Sequence, residues 1–164
     1  RIFQLINETY KYLYGFSELT HMQIDQYVDM YLKLADLNLI TVIEDGNQGD
    51  KLAGLGITIP SLAKALQKCH RGRLFPFGWW HVLRAIKFHK TEGVDLLLIG
   101  FLPEYRAKGA NALLFYDLIP RYQEYGFKWG ETQVEMETND SVQSQWTAFD
   151  HQIHKRRKCY IKKI

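Results

Sequence analysis

Six consecutive residues, Arg106-Ala107-Lys108-Gly109-Ala110-Asn111, carry the side chains and spacing most suited to holding a phosphate. Gly109 and Ala110 are small enough to let an anion approach the backbone. Arg106 and Lys108 supply positive charge. The segment opens a helix, whose first amides favour anions. A tight strand-to-helix turn with no ligand has the same local spacing, so the six residues alone leave both readings open. Glu135 and Glu137 stand in ETQVEMET, spaced to share one strand face. Either carboxylate could accept a proton as a general base, or both could line a solvated face. Tyr105 and Tyr116 lie close to the loop as proton donors or as packing residues. Cys69, His70, His81 and His89 match no zinc-ligand spacing, and no metal is expected.

Positioning these groups requires particular elements. Residues 94–102 (VDLLLIGFL) are almost continuously apolar, as in a buried central strand, and Pro103 ends the run. Helical spacing over 107–125 places Ala110, Leu113, Leu114, Leu118 and Tyr122 on neighbouring turns, with Pro120 expected to kink or divide the helix. Residues 131–138 alternate and read as a strand. A short helix over 141–149 and a last strand over 151–163 follow, the latter setting His151 and His154 on opposite faces. Upstream, 3–14 reads as a helix ended by Gly15. Thr20 and Gln23 form a capping box for a second helix with an apolar stripe of Met22, Tyr27, Val28, Tyr31, Leu32 and Ala35. Residues 39–44 and 51–59 flank the turn-rich 45–50 as a hairpin closed by Pro60. Residues 61–91 break this pattern with short helices at 61–68 and 79–89 around Gly72, Pro76 and Gly78. The whole reads as one mixed α/β domain over 1–164.

The composition, 46% hydrophobic and 14% aromatic over 164 residues, suits one packed domain and excludes disorder. No run of 18 apolar residues exists, so nothing spans a membrane and no membrane partner is expected. Arg1-Ile2-Phe3 shows neither a signal peptide nor an initiating Met, which reads either as a piece cut from a longer protein, with a missing N-terminal domain as a partner, or as a chain whose first residues are missing. Two cysteines fit free thiols in a cytoplasmic protein. The net charge of +3 is uneven: residues 154–164 hold six Lys/Arg and no acid. A charged, solvated edge strand accounts for that tail better than a nucleic-acid site. In the aromatic, basic insert 71–89, Arg71, Arg73 and Arg84 suit an anionic acceptor, though packing also explains it.

The segment LLLIGFLPEYRAKGANALLF resembles the central motif of the GNAT superfamily of acyl-CoA-dependent N-acyltransferases. In that motif a strand leads through a hydrophobic-x-Pro-x-x-Arg turn into Arg/Gln-x-x-Gly-x-Gly/Ala at a helix start, here Arg106, Gly109 and Asn111. The resemblance implies a mixed sheet flanked by helices; the helical insert at about 61–91 stands before the central strand, where such folds usually connect directly. It implies acetyl-CoA or another acyl-CoA as co-substrate and a small-molecule or peptide amine as acceptor. Phe101 and Leu102 would then pair with pantetheine, and an amide near Leu102 could supply the oxyanion donor. Arg106, Ala107, Lys108, Gly109, Ala110 and Asn111 would hold the pyrophosphate. Asn139 matches the Asn common at the end of the next strand, and Glu135 and Glu137 become the candidate bases. The HKRR segment at 154–157 is similar to one in longer bacterial GNAT-like proteins. Two positions depart from the pattern. Asn111 stands where Gly or Ala is usual. Trp146 stands seven residues after Asn139, where the family places its Tyr acid, and an indole cannot reprotonate a thiolate. A catalytically idle binding or scaffolding module is therefore the alternative reading.

Overall fold

A computed structural model describes residues 1–28, 35–106 and 108–162. Contacts divide the chain into two compact units, residues 1–133 and 134–164. In the first, helices α1 (Ile2–Tyr10) and α2 (His21–Tyr27) precede strands β1 (Ile40–Asp45) and β2 (Lys51–Pro60). The insert follows as α3 (Ala63–Gln67) and α4 (Gly78–Lys87). Strand β3 (Gly93–Phe101), the short α5 (Pro103–Arg106), α6 (Ala110–Glu124) and β4 (Trp129–Thr132) complete it. Among the described residues the strands form one mixed sheet in the order β1-β2-β3-β4, antiparallel except for the parallel β3–β4 pair.

The expected hairpin is present, with Gly49 and Asp50 both at positive φ in its turn. The capping box forms as its residues dictate: Thr20 Oγ1 accepts from the Gln23 amide, and Gln23 Oε1 accepts from the Thr20 amide. In the helix that it caps, Met22 and Tyr27 of the expected apolar stripe are exposed. Tyr31 and Leu32 of that stripe lie outside the described residues.

One irregularity in β3 organises the sheet. The register with β2 steps from Ile57↔Leu98 to Thr58↔Leu96, leaving Leu97 as an extra residue. Such a bulge reverses which edge each later backbone group faces. Before it, the Gly93 carbonyl accepts from Ser61 on the β2 side, and the Glu92 carbonyl accepts from Lys128 on the β4 side. After it, the Leu102 amide donates to Ala53 on the β2 side. Ile99 and Phe101 consequently turn their carbonyls to the other edge. The parallel ladder with β4 stops at Leu96↔Thr132, directly before the bulge. That ending corrects the expected strand over 131–138: only 129–132 is strand, because β3 no longer offers groups in register.

The faces follow from alternation. A Cβ at Gly100 would lie 2.5 Å from Thr9 Cγ2, whereas one at Gly56 would lie 2.7 Å from Leu114 Cδ1. Gly100 pairs opposite Leu55 and Gly56 opposite Ile99, so α1 and α6 cover opposite faces. Leu114 and Leu118 of α6 are fully buried, as are Leu39 and Leu55. Helix α6 runs through Pro120 undivided. The bond that proline cannot make belongs to the turn of solvent-exposed Tyr116, where water can serve the freed carbonyl.

The second unit holds α7 (Asp140–Gln143) and a 3-10 turn over Ser144–Ala148. The last strand expected at 151–163 is not formed over the described 151–162, which are exposed throughout. Consecutive charges at Lys155, Arg156, Arg157 and Lys158 leave neither strand face apolar enough to bury. No helix among the described residues is long and apolar enough to cross a membrane. Cys69 is buried, Cys159 is exposed, and both are free thiols.

Candidate functional site

Past the bulge, the outer edge of β3 from Leu97 to Phe101 has no strand partner among the described residues. Two carbonyls on this edge are held by the protein's own side chains. Tyr10 Oη donates to the Ile99 carbonyl at 2.9 Å, and Arg106 Nε donates to the Phe101 carbonyl at 3.1 Å. A carbonyl has two lone pairs, so each retains capacity for a second donor. Arg106 also donates through Nη2 to the Thr9 carbonyl at 3.2 Å, tying the strand end to α1.

The strand leads through Leu102 into α5 and then α6. Gly109 takes φ +78°, the left-handed region, at the position preceding α6, where no side chain caps the helix. A Cβ built there meets nothing within 4 Å. The Ala112 and Leu113 amides turn back to the Gly109 carbonyl, so the positive end of the 15-residue α6 dipole lies at this opening. Open space at a helix start fits a phosphate group. Asn111 is half-buried in the first turn. Lys108 holds its ammonium 5.1 Å from the centre of the Tyr105 ring. Ala107 lies outside the described residues.

Tyr105 is not a free acid. Its hydroxyl donates to Asp45 Oδ2 at 2.7 Å, and that acceptor pushes its pKa up to about 12. The same bond, with the Asn47 amide, lowers the Asp45 carboxyl. Tyr116 is 82% exposed, so packing does not hold it in place. An oxyanion donor is expected from an amide near Leu102; the amide of Leu102 itself is spent on Ala53 at 2.9 Å, because the bulge directs it toward β2.

Beside the strand end, a hollow of about 350 Å³ is lined by Glu8, Lys11 and Tyr12, by Lys51, and by Leu102–Glu104. Ion pairs Lys11–Glu8 (2.7 Å) and Lys51–Glu104 (2.8 Å) border it. Lys51 holds Glu104 below the usual carboxylate range, making it a poor base near neutrality.

The remaining predicted residues lie in the 134–164 unit. Asn139 is not at a strand end: it precedes α7 and its carbonyl accepts from Val142 and Gln143. Glu137 is exposed. Glu135 meets the residue that occupies the expected tyrosine position: Trp146 Nε1 donates to its two oxygens at 2.9 and 3.1 Å. Among the described residues no group of three His, Cys, Asp or Glu is arranged to hold a metal.

Sequence reading missed Tyr10, Thr9, Lys51 and Asp45 as partners of the loop. Tyr10 lies within the helix expected over 3–14, but its bond to Ile99 spans 89 residues. The other contacts likewise have no local signature.

In three dimensions the chain is similar to a transcriptional regulator from Bacillus halodurans C-125, at 12% identity, covering 98% of this chain and 93% of that one with a TM-score of 0.57. It is similar to an acetyltransferase from Trypanosoma brucei, at 12% identity, 98% and 90% coverage and a TM-score of 0.54. It also resembles an aminoglycoside acetyltransferase from an uncultured soil metagenomic sample in complex with sisomicin, at 14% identity, 99% and 88% coverage and a TM-score of 0.53. No protein-family model matches the chain, and no curated protein matches it. At these identities the likeness is one of fold: a mixed four-stranded sheet flanked by helices, as in GNAT-fold acetyltransferases.

Proposed function

We propose that the chain binds an acyl-CoA, with acetyl-CoA as the first candidate, and transfers the acyl group to a primary amine. One observation carries the reading: the edge of β3 beyond Leu97 is left without a strand partner among the described residues and runs directly to the open, uncapped start of α6 at Gly109. An extended strand edge suits the amides of pantetheine, and a helix start suits its pyrophosphate. In the transfer the amine nitrogen attacks the thioester carbonyl, the C–S bond breaks, and amide and CoA thiol are the products. The amine loses one proton and the thiolate gains one. Glu135 and Glu137 are proposed as proton acceptors from the resemblance. Because Arg106 already serves two carbonyls, Lys108 and the helix start carry more of the proposed phosphate contact.

A second reading has its own observation. Trp146 engages both oxygens of Glu135 and offers no acid. A chain that holds acyl-CoA without turning it over would tolerate this arrangement. The similar Bacillus halodurans protein is described as a transcriptional regulator rather than as an acetyltransferase.

Calorimetry with acetyl-CoA, followed by thiol release across an amine panel that includes an aminoglycoside, tests both. Binding with amine-dependent release supports the transferase. Binding without release selects the second reading. A folded chain that binds neither acetyl-CoA nor CoA refutes both.

A further inference from the structure

The insert between β2 and β3 presents apolar rings outward in a setting of one charge sign. Residues 61–91 contain seven Lys/Arg (Lys64, Lys68, Arg71, Arg73, Arg84, Lys87 and Lys90) and no Asp or Glu. Outside this segment and the basic tail over 154–164, the chain has eight Lys/Arg against all eighteen of its acids. At the tip of the insert Phe75 is 78% exposed and Phe77 75%, with Leu74 and Pro76 also exposed. Trp79 and Trp80 follow at 44% each.

The loop holds this display by its own bonds. The Trp79 amide donates to the Leu74 carbonyl at 2.7 Å, and the Trp80 amide donates to Phe77 at 3.1 Å. A Cβ at Gly78 would lie 2.3 Å from the Arg73 carbonyl, so only glycine closes the loop this tightly. Trp79 satisfies its indole N–H on the Pro76 carbonyl at 2.9 Å, which leaves its exposed ring surface apolar. Helix α4 then buries Gly78 and Ala85 and exposes Trp79, Trp80, Arg84 and Lys87. At 100° per residue these four fall within one arc of about 140°. An ordinary surface helix turns aromatics inward and cations outward; here rings and cations share the outward face.

We propose that this surface docks on an anionic lipid bilayer, with Leu74–Phe77 entering the headgroup boundary and Arg71, Arg73, Arg84 and Lys87 meeting the lipid charges. Charge complementarity selects this occupant, since the insert lacks any acid that would repel an anionic surface. Aromatic rings beside cations are the side chains that settle at a membrane interface. The expectation of no membrane partner rested on the absence of a spanning segment, and lying on a surface needs none. Nucleic acid is less favoured because the rings are not set out as parallel platforms: Trp79 and Trp80 meet at 73°, and Trp80 and Phe88 at 58°.

The test is co-sedimentation of the full chain with vesicles of phosphatidylcholine alone or with phosphatidylserine at about three lipids in ten. The expected result is binding to the anionic vesicles only, weakened by salt. The double variant Arg71→Gln/Arg73→Gln should bind on the order of thirtyfold more weakly. Phe75→Ala/Phe77→Ala should lose binding while keeping the parent's circular dichroism and melting point, because both rings are solvent-exposed. Equal binding to both vesicle types, or unchanged binding by the phenylalanine variant, overturns the proposal. So does failure to bind vesicles while binding a single-stranded RNA oligonucleotide or forming a dimer through this surface.

Discussion

Replacing Gly109 by alanine separates what the loop does for the fold from what it does for a ligand. The backbone there has φ +78°, a conformation that costs an L-residue about 1–2 kcal/mol. Alanine also restricts the unfolded chain, which offsets about 0.4–1 kcal/mol of that cost. No atom lies within 4 Å of the new Cβ, so no steric contribution arises inside the protein. The net expectation is a loss of about 1 kcal/mol, read as a fall in Tm of about 2–4 °C for a chain of this size. The same methyl group would stand in the opening before α6, where the phosphate is proposed to approach. Displacing one charge-assisted contact costs about 1.5 kcal/mol, close to tenfold in Kd. Thermal denaturation and acetyl-CoA calorimetry on the same sample read the two effects separately. If stability falls as expected while acetyl-CoA affinity is unchanged, the phosphate does not lie at this loop. If stability does not fall, the backbone argument itself fails.

Three further outcomes are expected. Leu114→Ala, at a fully buried position packed on Gly56, should destabilise by about 3 kcal/mol in urea denaturation; a loss under about 1 kcal/mol would contradict the packing described. Glu92 is held by Lys128 and then Lys64, which lower its pKa from 4.5 to about 2. Its contribution to stability should therefore be present above pH 4.5 and disappear as pH falls through about 2; an NMR carboxyl titration with its midpoint at the ordinary value, unaltered in Lys128→Ala, would sink the assignment. Tyr105 has the opposite sign: Asp45 favours its protonated form, raising its pKa from 10.0 to about 12. Its stabilisation is present below pH 10.0 and lost as pH rises through about 12, and ultraviolet titration of Asp45→Asn should show one tyrosine ionising earlier.

The features legible in the chain are those whose periodicity and punctuation act locally. The apolar run at 94–102, the hairpin with its Gly-rich turn, the Thr20–Gln23 box and the opening of a helix beyond Gly109 all depend on neighbours within a few residues, and the structure contains each of them. The loop residues could be singled out because small residues, cations and a helix start are adjacent in sequence. What those residues do to one another came from the packing of distant segments. Leu97 looks like its neighbours, yet only pairing with β2 makes it the extra residue, and that bulge ends β4 at Thr132 and turns the Leu102 amide away from the outer edge. Arg106 reads as a phosphate ligand until the fold brings Thr9 within 3.2 Å of its guanidinium. The tail reads as a strand, but its consecutive charges leave neither face apolar enough to bury, and no strand forms over the described 151–162. Glu135 likewise took Trp146 as its partner across eleven residues, and the alternation over 131–138 did not carry β4 beyond Thr132, because a period-2 pattern specifies which face a residue takes only where a neighbouring strand is present to pair with it.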